Sequence, residues 1–195
     1  VAKQVAGLRA LAAPREIRIF VGATLVLGRT DAEAEAKLAE YRRHSSVEGA
    51  LAHAAASLGI DFGRYGMDEP ITAGLGNAIQ SNVSAMRRAT GQEFTKRKLT
   101  DQFILGSRQK PMVGSVERIA GQLIAYVAET GADGFNLSRT VFPECLVEVV
   151  DQLVPALQER GAYKRDYTEG TYREKLFGHA RLTAPHPAAA FRQKS

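Results

Sequence analysis

Asn136, Ser138 and Arg139 put an amide, a hydroxyl and a guanidinium within four residues, at the end of the run GFNL and just beyond it. Together they can hydrogen-bond and charge-balance a small molecule, so they are the candidate lining of a ligand pocket. They contain no nucleophile–base pair, and no catalytic residue emerges from them. The alternative is plainer: Asn136 satisfies neighbouring backbone and Arg139 is a surface residue. Gly114-Ser115 opens a helical pattern, where backbone donors hold an anion or simply accept a cap. His44, His53, His179 and His186 show no ligand spacing with Cys or acids, so no metal site is expected. Cys145 has no histidine partner in the chain pattern, and Lys96-Arg97-Lys98 reads as a solvated cluster. Phosphate loops of the Walker and Rossmann types are absent.

The elements that must position these residues lie between Pro111 and Pro143. Val116, Ile119, Leu123 and Val127 recur at the helical period, widened by Ala120 and Tyr126, with Ser115 at the expected N-cap. Gly131 falls where a left-handed residue ends the helix. GFNL is too short for a helix and predicts a strand over 133–138 buried on both faces. Helix, glycine, strand and helix form the unit of a parallel α/β sheet, whose chemistry sits at the C-terminal strand ends.

Before this unit, residues 2–13 predict a short amphipathic helix stopped by Pro14. IRIFVGATLVL, residues 17–27, is the strongest strand, and its unbroken hydrophobicity argues for two covered faces. Gly22 within it marks either a bulge or a close approach by a ligand. Thr30 with Glu33 forms a capping box for the next helix, and Glu33 with Lys37 an i,i+4 pair. Ser45 with Glu48 offers a second box, for a helix running to about Leu58 and ending at Gly59. From Ile60 to Thr95 the pattern weakens to a loop and one modest helix near 77–89, followed by a helix over 97–105. Beyond Pro143, Leu146, Val149, Val150, Leu153, Val154 and Leu157 make one apolar face, which Pro155 must kink or restart. Residues 161–195 show no period and read as an extended tail.

The chain has 195 residues, 45% hydrophobic and 24% charged, enough for a sizeable core. One cysteine excludes an internal disulfide and fits a reducing, cytoplasmic setting. No apolar run approaches membrane-spanning length, so no membrane partner is expected. The net charge of +5 sits wholly between Arg160 and Ser195, where eight Lys and Arg meet three acids. A solvated or wrapping extension explains that excess better than nucleic-acid binding, which wants a basic, aromatic face on a folded element. The first residue is Val, in a helical pattern, as expected of a piece of something longer. Two strands that both expect neighbours point the same way, because two strands cannot satisfy their own edges.

RIFVGATLVLGRTDAEAEAKLAEY, VGSVERIAGQLIAYVAETGADGFNLSRTVFP and LVPALQERGAYKRDYTEGTYREKLFG resemble one family. It is the bacterial luciferase-like, flavin-dependent monooxygenases of the nitrilotriacetate and dibenzothiophene-sulfone branch. The likeness covers the whole chain but only the C-terminal portion of the family. It implies the C-terminal part of a TIM (β/α)₈ barrel. Residues 1–160 would be the partial barrel, with 17–27 as its seventh strand, 133–138 as its eighth and an insertion at about 60–110. Residues 161–195 would be the extended tail. It also implies reduced FMN from a separate NADH-dependent flavin reductase, O₂, a small organic substrate and a homo-oligomeric full-length form. Asn136, Ser138 and Arg139 then become lining of a flavin or substrate pocket, with the main FMN ligands outside this chain. The resemblance thus predicts a fragment of a two-component monooxygenase that is not active alone. The rival reading is a non-catalytic α/β binding module with a basic tail.

Overall fold

A computed structural model describes residues 1–71, 94–105, 110–184 and 186–191. The predicted helix near 77–89 lies outside the described residues. The chain falls into two compact units, each built from separated segments.

The first unit comprises Val1–Gly22, Val116–Asn136 and Val149–Ser195. Helix α1 (Ala2–Ala12) stops before Pro14, as the sequence predicts, and buries Val5 and Ala12. It packs on the long helix spanning Val116–Thr130, which buries Ile119, Ala120 and Leu123. That helix ends at Gly131, whose φ of 70° is the left-handed conformation glycine adopts without strain. Val149–Leu153 forms a π-turn that leads into the helix Val154–Glu159, so the ladder is rewound immediately before Pro155. Leu153 and Ala156 are buried there.

Asp133 ties this unit together. Its backbone N–H donates to Ile19 O at 2.9 Å, while Oδ2 accepts from Ile19 N–H at 2.8 Å. The same carboxylate accepts from Arg9 Nη2 at 2.9 Å and Arg18 Nη1 at 3.2 Å. Arg18 also donates through Nε and Nη2 to Leu176 O, at 3.0 and 2.7 Å, and lies over the Phe177 ring. The C-terminal region is therefore not simply an extended tail. Tyr172–Phe177 is a helix, opened by a reciprocal capping box between Thr171 and Glu174 and closed at Gly178. Pro187–Phe191 adds a 3₁₀ turn.

The second unit comprises Ala23–Ser115 and Leu137–Glu148. Strand β1 (Phe20–Gly28) leads into it, with Ala23 through Gly28 fully buried. Helix α2 (Asp31–Arg43) is capped by Thr30, whose Oγ1 accepts from Glu33 N–H at 3.1 Å. Gly28 is required at this turn, since a Cβ would lie 2.6 Å from Ala34 N and 2.9 Å from Thr30 O. Helix α3 (Val47–Leu58) ends at Gly59 with φ 64°. Its cap is Ser46 and not Ser45: Ser46 Oγ accepts from Gly49 N–H at 3.0 Å, while Ser45 Oγ donates to Tyr41 O. The helix Lys96–Phe103 packs on α3 around Leu58, Phe62, Ile71, Phe94 and Leu99. Lys96-Arg97 is not merely solvated. Lys96 Nζ donates to Tyr65 O at 2.8 Å, and Arg97 grips Asp68 with two hydrogen bonds of 2.7 and 2.8 Å.

The prediction of two strands is corrected by a third, β2 (Met112–Ser115), where the sequence placed the approach to a helix cap. β2 pairs in parallel with β1 in the register Leu25↔Met112 through Gly28↔Ser115. Four residues ending in Gly-Ser carry too little pattern to stand out as a strand. Ser115 is its last residue, not an N-cap. With β3 (Gly134–Ser138) the sheet order is β2-β1-β3. Because β2 intervenes in the chain, 17–27 is not the strand immediately preceding 133–138. β3 is an edge strand with Asn136 and Leu137 exposed, contrary to the expectation that both its faces are covered.

Candidate functional site

The most developed polar constellation lies wholly in the second unit, on one face of α2. Lys37 and Tyr41 are four residues apart and therefore neighbours on that face. Lys37 Nζ pairs with Glu144 Oε1 at 3.1 Å and with the Glu148 carboxylate, and Tyr41 OH donates to Glu144 Oε2 at 2.9 Å. The predicted Glu33–Lys37 pair does not form. Glu33 instead accepts from Arg29 Nε at 3.1 Å and from the Arg29 N–H. The capping box is thus half realised, with Thr30 serving Glu33 but Glu33 serving Arg29.

Burial disfavours the charged form of Lys37, but the hydrogen bonds and charges of Glu148 and Glu144 outweigh it and raise its pKa. Glu144 is held below the ordinary carboxylate value, because Tyr41 and Lys37 more than offset its partial burial. Burial, then the Glu144 carboxylate, pushes the Tyr41 phenol well above its usual value. Lys37 is therefore held as an ammonium, Glu144 as a carboxylate and Tyr41 as a neutral phenol, each shifted away from neutral pH, so these three position groups and do not act as acids or bases.

These side chains border a cavity of about 870 Å³. Its wall combines Glu33, Glu40, Glu144, Lys37 and Arg43 with Tyr41, His44, Ser45 and Thr140, and with the apolar Ile104, Leu105 and Val141. Thr140 Oγ1 is buried and has no hydrogen-bond partner among the described residues. The cavity is of small-molecule size.

The three residues singled out in the sequence sit on or just past β3. Asn136 and Arg139 are exposed and Ser138 is half-buried; none of them lines the cavity, which begins at Thr140. Sequence reasoning missed Lys37, Tyr41 and Glu144. Their signal was present in the i,i+4 spacing of a lysine and a tyrosine on one helix, but the nearer Glu33 claimed the lysine.

A flavin phosphate needs several free donors, yet Lys37 is committed to two carboxylates and three Glu line the cavity. This wall does not by itself fit FMN.

No family model matches the chain. Its sequence is 36% identical over 184 residues to the long-chain alkane monooxygenase of Geobacillus thermodenitrificans, covering 93% of this chain and 38% of that protein. It is 31% identical over 170 residues to the dibenzothiophene-sulfone monooxygenase of Rhodococcus erythropolis, covering 84% and 37%. The chain belongs to the luciferase-like monooxygenases. It corresponds to the C-terminal part of these longer relatives and spans well under half of their length. Among solved luciferase-like structures, that of riboflavin lyase with modified FMN and riboflavin superposes with a TM-score of 0.82 at 29% identity. It covers 99% of this chain and 44% of that one. The partial α/β fold with its parallel strands is thus shared with the luciferase-like barrels. Among the described residues, no helix is long and apolar enough to cross a membrane.

Proposed function

We propose that this chain serves as the C-terminal part of an FMN-dependent, two-component monooxygenase that oxygenates a small organic substrate. The observation carrying this reading is the 36% identity to an alkane monooxygenase over nearly the whole chain. The flavin-bound lyase structure supports the choice of cofactor. Reduced FMN supplies the oxygen-activating chemistry when bound, and an NADH-dependent flavin reductase delivers it. Homo-oligomeric assembly and a cytoplasmic setting belong to the same reading. Asn136, Ser138 and Arg139 contribute one wall of the flavin or substrate pocket. The donors that grip the flavin come from the part of the protein matched by the rest of the relatives' length.

Joining this chain to the N-terminal remainder of the Geobacillus alkane monooxygenase tests the reading. FMN is expected to bind the chimera and not the chain alone, and the chimera to consume O₂ when a flavin reductase and NADH are present. Stoichiometric FMN binding by the chain alone overturns the placement of the ligands. A folded chimera that neither binds flavin nor consumes O₂ overturns the function. The misfit between the cavity wall and FMN favours a second reading, in which the chain is a non-catalytic binding module. A folded, flavin-free chimera is what that reading expects.

A further inference from the structure

We propose that residues 161–179 form a strap that opens from the first unit as one folded piece, hinged at Gly161 and latched by Arg18. Closed, the strap sequesters the Arg18 guanidinium; open, it offers that guanidinium to an acceptor from outside.

The strap has little apolar hold on its unit. No residue from 161 to 179 is buried, whereas the turn and helix just before it bury Leu153 and Ala156. Several of its contacts are internal and travel with it. Thr171 and Glu174 cap the helix Tyr172–Phe177, and the Lys164 and Lys175 ammonium groups lie 3.9 and 5.4 Å from the centre of the Tyr167 ring. At the root, Gln158 Nε2 donates to Lys164 O at 2.8 Å. Gly161 has a φ of 67° and nothing within 4 Å of its Cβ position, so the backbone has room to turn there.

Arg18 holds the far end. Its Nε and Nη2 both donate to Leu176 O, and its guanidinium carbon lies 5.5 Å from the centre of the Phe177 ring. Arg18 does not need the strap to keep its place. Nη1 donates to Asp133 Oδ1 at 3.2 Å, and Nη2 also meets Glu16 Oε1 at 2.6 Å. Opening therefore breaks the Leu176 and Phe177 contacts and leaves a guanidinium in position with its Nε–H vacant. A carbonyl or carboxylate outside the strap is the complementary acceptor. Segments with few buried contacts are the ones that open below global unfolding.

Hydrogen exchange and phenylglyoxal labelling of the whole chain, both read by mass spectrometry, test this. The amides of Tyr172–Phe177 are expected to exchange at least about tenfold faster than those of Ile119 and Leu123. Phe177→Ala removes the ring beneath Arg18. It should speed both strap exchange and Arg18 labelling about 3- to 10-fold, with exchange in Val116–Thr130 unchanged. Arg29, whose side chain is 85% exposed, is the internal reference and should label as before. Phe177→Tyr keeps the ring and should restore the parent values. Strap and helix exchanging at one rate, a Phe177→Ala that speeds both alike, or one that leaves Arg18 labelling unchanged each overturns the proposal. No flavin is needed, so failure here leaves the monooxygenase reading standing, and a flavin-free chimera leaves the strap standing.

Discussion

Lys37 Nζ lies 3.1 Å from Glu144 Oε1, so helix α2 is tied to the segment that follows β3 by an ion pair rather than by apolar packing alone. Lys37→Met would leave Glu144 and Glu148 close together without their cation. The expected loss is about 2 kcal/mol, below the figure for fully buried pairs because Glu144 is 45% exposed. Urea melts of the two proteins at pH 7 and pH 3 check it. Glu144 has a lowered folded pKa, so what its pairing with Lys37 contributes is lost as pH falls below the ordinary value of 4.5, and the deficit should shrink there.

Tyr41→Phe removes only the hydroxyl that donates to Glu144. A loss of about 1 kcal/mol is expected, together with the loss of the highest-pH step from the tyrosinate titration. In the parent protein, the Tyr41 phenol should resist ionisation to higher pH than an ordinary phenol. Ultraviolet titration of the tyrosinate band, parent against variant, measures the difference directly.

Asp133 gives a pH dependence with a definite sign. Partial burial opposes its ionisation, but the Ile19 N–H and the guanidinium groups of Arg18 and Arg9 outweigh that and lower its pKa. A lowered folded pKa means the stabilisation is fully present above the ordinary value of 3.8 and is lost as pH falls below it through the folded value. Asp133→Asn should therefore cost about 1–2 kcal/mol at pH 7 and markedly less near pH 2.5. An equal deficit at both pH values would contradict the assignment.

Gly28→Ala should destabilise by about 1–3 kcal/mol, because the new methyl meets backbone atoms of Ala34 and Thr30 that cannot swing aside. Gly121→Ala is the control. It lies within the helix Val116–Thr130 with nothing within 4 Å of its Cβ position, so it should be neutral or slightly stabilising.

Thr171→Ala removes the cap of the helix Tyr172–Phe177. Hydrogen exchange in that helix should speed up about fivefold, with the exchange of Ile119 and Leu123 unchanged. Faster exchange throughout would mean that the C-terminal helix is integral to its unit.

Much of this arrangement was legible in the sequence wherever a single residue type enforces a backbone state. Gly59 and Gly131 end their helices in the left-handed region, Thr30 caps α2, and the unbroken run in β1 predicts its burial. Signals were missed where two readings share the same residues. Met112–Ser115 looks like the run-up to a helix, and only its pairing with Leu25–Gly28 makes it a strand. Thr171 and Glu174 carried a capping box that the surrounding irregular sequence concealed. The partner of Lys37 could not be read locally at all, since Glu144 and Glu148 are close only through the fold. Asn136, Ser138 and Arg139 were placed correctly at and just past the end of a strand, while the cavity lining starts one residue further on, at Thr140.

At the end of β2, Ser115 N–H donates to Asp31 Oδ1 at 2.7 Å, directly after the last register pair Gly28↔Ser115. A carboxylate of the protein's own thus occupies the place beside the start of α2 where a helix dipole and a free amide would otherwise invite a foreign anion. The strand end is self-neutralised. An approaching phosphate would find this corner already taken by an internal counter-charge.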